Sequence, residues 1–343
     1  MSVVFTNGRE IGNGNRPYII AEVNSSHNGS VELAKKMIDA SVDAGCSCVK
    51  FQSWSTESLY SKTYYDENPI AKRFVKKFSL NEEKLLEVMN YCRRKGIDFS
   101  STPYSNREVD FLVNHDVPYI KIASMEINNY PFLKYIASKQ MPIILSTGMS
   151  DFEEIRKAVS IIESTGNHKI CLLHCISIYP AEPEIINLNN IKMLKNEFPE
   201  YPIGFSDHSL GMELACAAIA LGADIIEKHL TLDKNRIGMD NQMAIEPGEM
   251  NNLVAFCNNV WAAMGSYERL VSDAEIEQRT KMRRSLIYTR DMSAGEIITE
   301  NDVYAKRPGT GISPDRVNSV IGNILIRDIR EDTLICSSDF KQT

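Results

Sequence analysis

The sequence predicts an α/β protein, a (β/α)8 TIM barrel followed by a small, mostly β domain. Three observations predict it. Eight short apolar runs recur between residues 18 and 230. Amphipathic stretches with helix-start and helix-stop residues lie between them. Beyond residue 265 the composition changes, first to a charged helical segment and then, from Arg284, to short strands and turns.

The elements follow in order. "TNG" at 6–8 and "NGN" at 13–15 are turn signals and suggest a β-hairpin within the first 17 residues. The strand candidates are "YIIAEV" (18–23), "CVKFQS" (48–53), "DFSSTP" (98–103) and "YIKIAS" (119–124). Four more are "PIILST" (142–147), "KICLLHC" (169–175), "YPIGFSD" (201–207) and "DIIEKHL" (224–230). Between them, "SVELAKKMIDASVDAG" has helical spacing and a glycine stop. "NEEKLLEVMNYCRRKG" opens with a capping asparagine and acidic residues and ends in basic ones, which suits the helix dipole. "DFEEIRKAVSIIESTG" repeats that grammar, and "GMELACAAIALG" and "EPGEMNNLVAFCNNVWAAMG" close the series. Such alternation builds a parallel barrel of roughly 250 residues. A doubly wound open sheet is the alternative, although no G-x-G-x-x-G follows the first strand. The expected division is a barrel with its hairpin at 1–265, a linker at 266–283 and the small β domain at 284–343.

Composition narrows the function. The 343 residues are 43% hydrophobic and 24% charged, with net charge −7. That acidity argues against non-specific nucleic-acid binding, which rests on basic surface. No apolar run reaches the roughly 18 residues of a membrane span, and "MSVVFTNGREIG" lacks the pattern of a signal peptide. The eight scattered cysteines read as reduced thiols of a cytoplasmic protein.

In a barrel, chemistry sits at the C-terminal ends of the strands. Here each strand ends in something polar: Glu22; Lys50 and Gln52; Ser100 and Thr102; Lys121 and Ser124; Ser146; His174; Ser206, Asp207 and His208; Glu227, Lys228 and His229. Side chains alternate faces along a strand. Lys50 therefore shares a face with Gln52, Ser206 with His208, and Glu227 with His229. Lys50 and Lys121, with Thr102, Ser124 and Ser146, suit the oxygens of a phosphate or carboxylate. His208 and His229, on adjacent strands, suit one divalent metal with positions left open for substrate and water. Glu22 or Glu126 suits general acid–base work. In "CLLHC", Cys171 and Cys175 lie on one strand face and His174 on the other, which reads as a buried strand.

These motifs together have a family resemblance. "IIAEVNSSHNGS", "VKFQS", "STPYS", "YIKIASMEINNYP", "IILSTGM", "LLHCISIYP", "GFSDHS", "IIEKHLTLDK" and "KRPGTG" resemble, in order over residues 16–340, the bacterial sialic acid (nonulosonic acid) synthase family. The C-terminal part resembles its small antifreeze-like (SAF) domain. The resemblance implies condensation of phosphoenolpyruvate with the open-chain aldehyde of an N-acyl-mannosamine-type sugar, with C–O cleavage. A divalent cation, typically Mn2+, with Mg2+ or Co2+ as alternatives, would be held by His208 and His229. Phosphoenolpyruvate would be held by Lys50, Thr102, Lys121, Ser124, Ser146 and Ser206, with Ser177 where an asparagine is common. Glu22 would handle protons. Gln52, Tyr104, Glu126, Tyr179 and Asp240 match positions near the sugar. Arg307 matches an arginine that one subunit inserts into its partner's barrel, implying a domain-swapped homodimer. "KFQS" and "EKHLTLDK" look more like legionaminic acid synthases, while "NNYP" leans the other way. "GMDNQMA" departs from the usual "GPD". The Tyr-, Lys- and Ser-rich loop 54–80 is expected over the mouth. Two other readings are a metal aldolase or related phosphoenolpyruvate-using synthase on another aldose, and a sugar- or phosphate-binding scaffold.

Overall fold

The computed structural model describes residues 2–236, 238 and 240–341. The chain divides into two compact units, Met1–Gly265 and Ser266–Thr343.

The first unit opens with the expected hairpin, β1 (Ser2–Val4) antiparallel to β2 (Glu10–Gly12). Next come β3 (Tyr18–Glu22), α1 (Val31–Asp43) and β4 (Cys48–Gln52). The stretch expected as a loop over 54–80 instead holds two helices, α2 (Lys62–Glu67) and α3 (Pro69–Phe78). Ser61 caps the first of them, and Pro69 opens the second at a position that needs no N–H. Tyr65, Val75 and Phe78 give them a buried side. Then follow α4 (Glu82–Lys95), β5 (Asp98–Thr102), α5 (Asn106–Val113), β6 (Ile120–Ile122) and α6 (Tyr130–Ser138). The series continues with β7 (Ile143–Ser146), α7 (Phe152–Glu163), β8 (Ile170–Cys175), α8 (Pro183–Ile186) and α9 (Asn189–Glu197). It ends with β9 (Ile203–Asp207), α10 (Glu213–Ala220), β10 (Ile225–His229) and α11 (Pro247–Met264).

The helix signals act as the sequence suggests. Ser30 and Asn81 cap α1 and α4 through their side chains, and Asp151 and Glu154 form a capping box on α7. Gly96 ends α4 at φ 72°, a left-handed conformation that costs glycine nothing.

All eight barrel strands are parallel, in the order β5-β4-β3-β10-β9-β8-β7-β6, and β5 lies against β6 to complete the ring. Their alternation sorts side chains into two layers. Ile19, Ala21, Val49, Phe51, Ile143 and Ile226 face the helices. Tyr18, Ile20, Cys48, Tyr119, Ile144 and Leu173 face inward, where Val3, Phe5 and Ile11 of the hairpin join them. The hairpin thus plugs the N-terminal end of the barrel. Phe5 packs against Tyr119 and Tyr18, with ring centroids 4.8 and 5.3 Å away.

The second unit begins with α12 (Asp273–Met282), within the segment expected to be a linker. β11 (Ser285–Tyr288) pairs with β12 (Val303–Lys306), and β13 (Ile324–Leu325) with β14 (Phe340–Lys341). Leu286, Tyr288, Ile298, Leu325 and Phe340 form its core. Gly309 ties α12 to this unit: its N–H donates to Thr280 O at 2.8 Å, and a Cβ there would stand 2.5 Å from Arg279 O.

Candidate active site

The inward rows of the strands turn polar toward their C-terminal ends. Register sets the neighbours: His229 stands beside Glu22, Glu22 beside Lys50, Lys50 beside Ser100, and Glu227 beside Ser206. These ends line a cavity of about 320 Å³.

At its centre are two buried lysines and two buried carboxylates. Lys50 Nζ lies 2.5 Å from Glu22 Oε2 and 3.5 Å from Glu227 Oε2, and donates to Thr102 Oγ1 at 3.3 Å. Lys121 Nζ donates to Ser146 Oγ at 2.6 Å and to Ile122 O at 3.0 Å. Glu227 also accepts from Ser206 Oγ at 2.9 Å. The carboxylates differ in charge state for a physical reason. Burial raises the pKa of both; for Glu227 the fields of Lys50 and Lys121 outweigh burial and hold it ionised. For Glu22 burial wins over the pull of Lys50, with the Glu227 charge adding to the rise, so its carboxyl is well above the usual range. Burial also lowers the Lys121 pKa.

The two histidines face one another across β9 and β10, with ring centroids 5.4 Å apart. His208 follows the last residue of β9. Its Nδ1 is 2.7 Å from Ile176 O, an atom that can only accept, so Nδ1 carries the proton and Nε2 keeps its lone pair. His229 is held neutral by burial and the neighbouring cations. Its Nδ1 is 3.7 Å from Asp240 Oδ2. Two imidazole rings with a nearby carboxylate fit a divalent cation with open positions. Among the described residues no group of three or more His, Cys, Asp or Glu side chains is arranged as a complete metal site.

Ser124 and Ser177 reach the same cavity around Gly148. Gly148 N–H donates to Ser124 Oγ at 3.0 Å, and a Cβ on Gly148 would stand 2.4 Å from Ser177 Oγ. Toward the opening, Tyr104 OH donates to Gln52 Oε1 at 2.8 Å, and the Tyr179 ring packs tilted against His208 with centroids 4.2 Å apart.

Most residues singled out in the sequence therefore meet in one cavity. Glu126 is not among its lining residues; its carboxylate accepts from Asn129 Nδ2 at 2.7 Å, within its own turn. Arg307 belongs to the second unit, where it is exposed just after β12. Met239 of "GMDNQMA" lies outside the described residues. Lys228 points the other way from Glu227 and His229. Its Nζ pairs with Asp207 at 2.8 Å and with Ser209 O at 2.7 Å, all buried in the helix-facing layer. His174, on the outer face of β8, likewise bonds Ile186 O and stacks on Phe205.

Of the lining residues that the sequence reading gave no role in the site, three stand out. Glu227 was visible in alternation with His229, yet only the ion pair with Lys50 gives it a role. Cys175 is a buried strand residue, as expected, but its Sγ lies 3.7 Å from Ser124 Oγ and 3.8 Å from His208 Nδ1. Burial would raise this thiol; His208 and Lys121 bring its pKa below the ordinary value. Trp54 follows β4, where no periodicity marks it.

Fold and site together define a TIM-barrel protein with buried lysines, carboxylates and two imidazoles at the mouth of its barrel. Comparison with known proteins is specific. Residues 37–269 match the NeuB family and residues 283–341 the SAF domain. The chain is 36% identical over 331 residues to the N,N'-diacetyllegionaminic acid synthase of Legionella pneumophila, covering 93% of each protein. It is 30% identical over 338 residues to the N-acetylneuraminate-9-phosphate synthase of Homo sapiens, covering 96% of this chain and 94% of that one. The crystal structure of the N-acetylneuraminic acid (sialic acid) synthetase of Leptospira borgpetersenii, in complex with citrate, superposes with TM-score 0.75 at 34% identity, over 81% of this chain and 95% of that one. The chain belongs to the NeuB family.

Proposed function

We propose that the protein is a nonulosonic (sialic) acid synthase. It joins phosphoenolpyruvate to the aldehyde of an N-acylated mannosamine-type sugar, and water enters. A nine-carbon 2-keto-3-deoxy acid and phosphate leave. The observation that carries this reading is the placing of two buried lysines, Lys50 and Lys121, beside the His208–His229 pair at one end of a barrel of this family.

Lys121, Ser146, Ser124, Ser177 and Ser206 bind the phosphate and carboxylate oxygens of phosphoenolpyruvate, and Lys50 with Thr102 completes that set. The C3 carbon of phosphoenolpyruvate attacks the aldehyde carbon, and the new alkoxide takes a proton. Water adds at C2, and the C2–O bond to phosphate breaks. Glu22, whose buried carboxyl exchanges a proton near neutrality, receives one from the attacking water and returns it. Gln52, Tyr104, Tyr179 and Asp240 orient the sugar, with Glu126 at the margin. His208 and His229 would hold a divalent cation, Mn2+ before Mg2+ or Co2+, which as a Lewis acid polarises the aldehyde oxygen.

The reading extends to a homodimer in which Arg307 of one copy reaches the barrel of the other. The exposed position of Arg307 beside the α12-anchored Gly309 supports it. A cytoplasmic site is supported by eight cysteines that are all free and by the acidic, non-nucleic-acid-binding composition. No helix of the described residues is long and apolar enough to cross a membrane.

Phosphoenolpyruvate labelled with 18O in its bridging oxygen tests the chemistry. All label in released phosphate, with one nine-carbon acid per phosphate, is expected; label in the keto acid would contradict C–O cleavage. Mixing inactive Arg307→Ala and Lys121→Met chains tests the dimer. Recovered activity is expected, and none from confirmed heterodimers would refute delivery in trans.

A further inference from the structure

Two polar strand-end residues, Asp207 and Lys228, lie outside the cavity, yet each stands next to one of its histidines in the chain. Lys228 Nζ is 2.8 Å from Asp207 Oδ2, and both side chains are 0% exposed. Among the described residues it is the one salt bridge so fully enclosed. On the neighbouring strands the same helix-facing layer carries Ala21, which stands beside Lys228 in register, and Phe51. Enclosing two charges is costly, and well-packed apolar side chains in their place are often as stable or more so. The stability of the layer therefore does not account for the pair. Nor does strand pairing, because β9 and β10 are already joined by their ladder from Gly204 and Ile225 to Asp207 and Lys228.

The ladder ends at that step, and His208 stands one residue beyond it. Lys228 spans the gap. Besides pairing with Asp207, its ammonium donates to Ser209 O at 2.7 Å. Asp207 closes the turn from the other side: its Oδ1 accepts from Ser209 N–H at 2.9 Å and from Ser209 Oγ at 2.6 Å. The residues on both sides of His208 are thus fastened to the residue that precedes His229. The His229 ring itself has no hydrogen-bond partner among the described residues, with Asp240 3.7 Å away. Its placing follows from β10 and from the rings of Tyr179 and His208 packed against it.

We infer that Asp207, Lys228 and Ser209 are positioning residues that hold His208 and His229 at the separation from which both reach one divalent cation. The inference rests on the metal reading of those two rings. None of the three residues lines the cavity, so each acts through the chain that carries a histidine. Outer partners of this kind tune a metal site without touching the metal.

The test is Mn2+ binding to the full-length, metal-free protein, read by electron paramagnetic resonance of the free ion, beside thermal melting. The paired substitution Asp207→Asn with Lys228→Met removes both charges, leaves the net charge unchanged and keeps an acceptor for Ser209 N–H. Its melting temperature should stay within about 4 °C of wild type. Its Mn2+ affinity should fall about 10- to 100-fold, the scale of losing an outer partner of a metal ligand. A pair that only stabilised the fold would leave the affinity unaltered in a variant that melts like the wild type, and that result overturns the inference. Should the paired variant melt lower than that, Ser209→Ala, which removes one hydrogen bond and no charge, decides in its place. Affinity about 3-fold weaker is then expected, and unchanged affinity overturns the inference. No Mn2+ binding by the wild type, or binding that survives His208→Ala undiminished, would remove the metal reading and this inference with it.

Discussion

The floor and the mouth of the barrel are built from the same strands and obey opposite rules. On β3, Tyr18 and Ile20 face inward near the floor, and two residues further on Glu22 occupies the same row at the mouth. On β4 the row runs from Cys48 to Lys50 to Gln52. At the floor the polar groups are tied to fixed partners. Tyr18 OH donates to Asp98 at 2.7 Å, and burial pushes the Tyr18, Tyr119 and Cys48 pKa values far above neutrality. At the mouth, lysines and carboxylates are buried with bonding capacity left over. The floor stabilises, and the mouth holds charge where a substrate can use it. One barrel can do both because a strand's alternation fixes which face a residue takes, while its position along the strand fixes its depth.

Breaking the mouth should cost activity without costing the fold. Lys121→Met should lower kcat/KM for phosphoenolpyruvate by ~10³-fold or more, the scale of losing a preorganised charge contact. The melting temperature should hold or rise, since a buried charge is replaced by an apolar chain of similar length. Steady-state kinetics beside thermal melting checks both; a large fall in melting temperature would show that Lys121 also holds the barrel together.

Breaking the floor should do the reverse. Phe5→Ala removes the ring that packs on Tyr18 and Tyr119. It should cost about 3 kcal/mol of unfolding free energy by denaturant titration and leave kcat of the folded enzyme unchanged. A selective loss of kcat would mean that floor and mouth are coupled.

pH sharpens the contrast. His27, buried beside Phe51 in the loop after β3, accepts from Gly29 N–H at 3.0 Å, and burial lowers its pKa to about 4. Below pH 6.5 the unfolded chain takes a proton that the folded chain refuses. Stability is therefore lost as pH falls from 6.5 to about 4, by at most about 3 kcal/mol. Glu22, raised by burial, works in the opposite sense. The difference between wild type and His27→Asn is thus the quantity to measure. Equal pH dependence of melting in the two proteins would contradict this account of His27.

The comparison also shows what was legible in the sequence. Strand alternation sorts inward from outward residues without any structure, so Lys50, Lys121, His208 and His229 could be placed together. The hairpin was legible in its turn glycine, but not its seat under the barrel, which depends on contacts over 100 residues apart. Helix α2 was hidden because its six residues bury only Tyr65, whereas in α3 Ile70, Phe74, Val75 and Phe78 do stand at helical spacing and were legible. Trp54 and Cys175 were hidden for a related reason: aromatic and thiol side chains look like core wherever they stand, and only the cavity separates lining from packing. Lys228 is the converse case, a lysine beside the site whose partner Asp207 lies in the layer behind it.

The most direct test of the central claim is phosphate release from phosphoenolpyruvate by the Mn2+-loaded protein, with and without an N-acyl-mannosamine-type sugar. The account predicts release that requires the sugar, matches the nine-carbon acid one for one, stops with chelator and is lost in Lys121→Met. Release without sugar, or none from folded, metal-loaded protein offered the neutral and phosphorylated sugars, would contradict it.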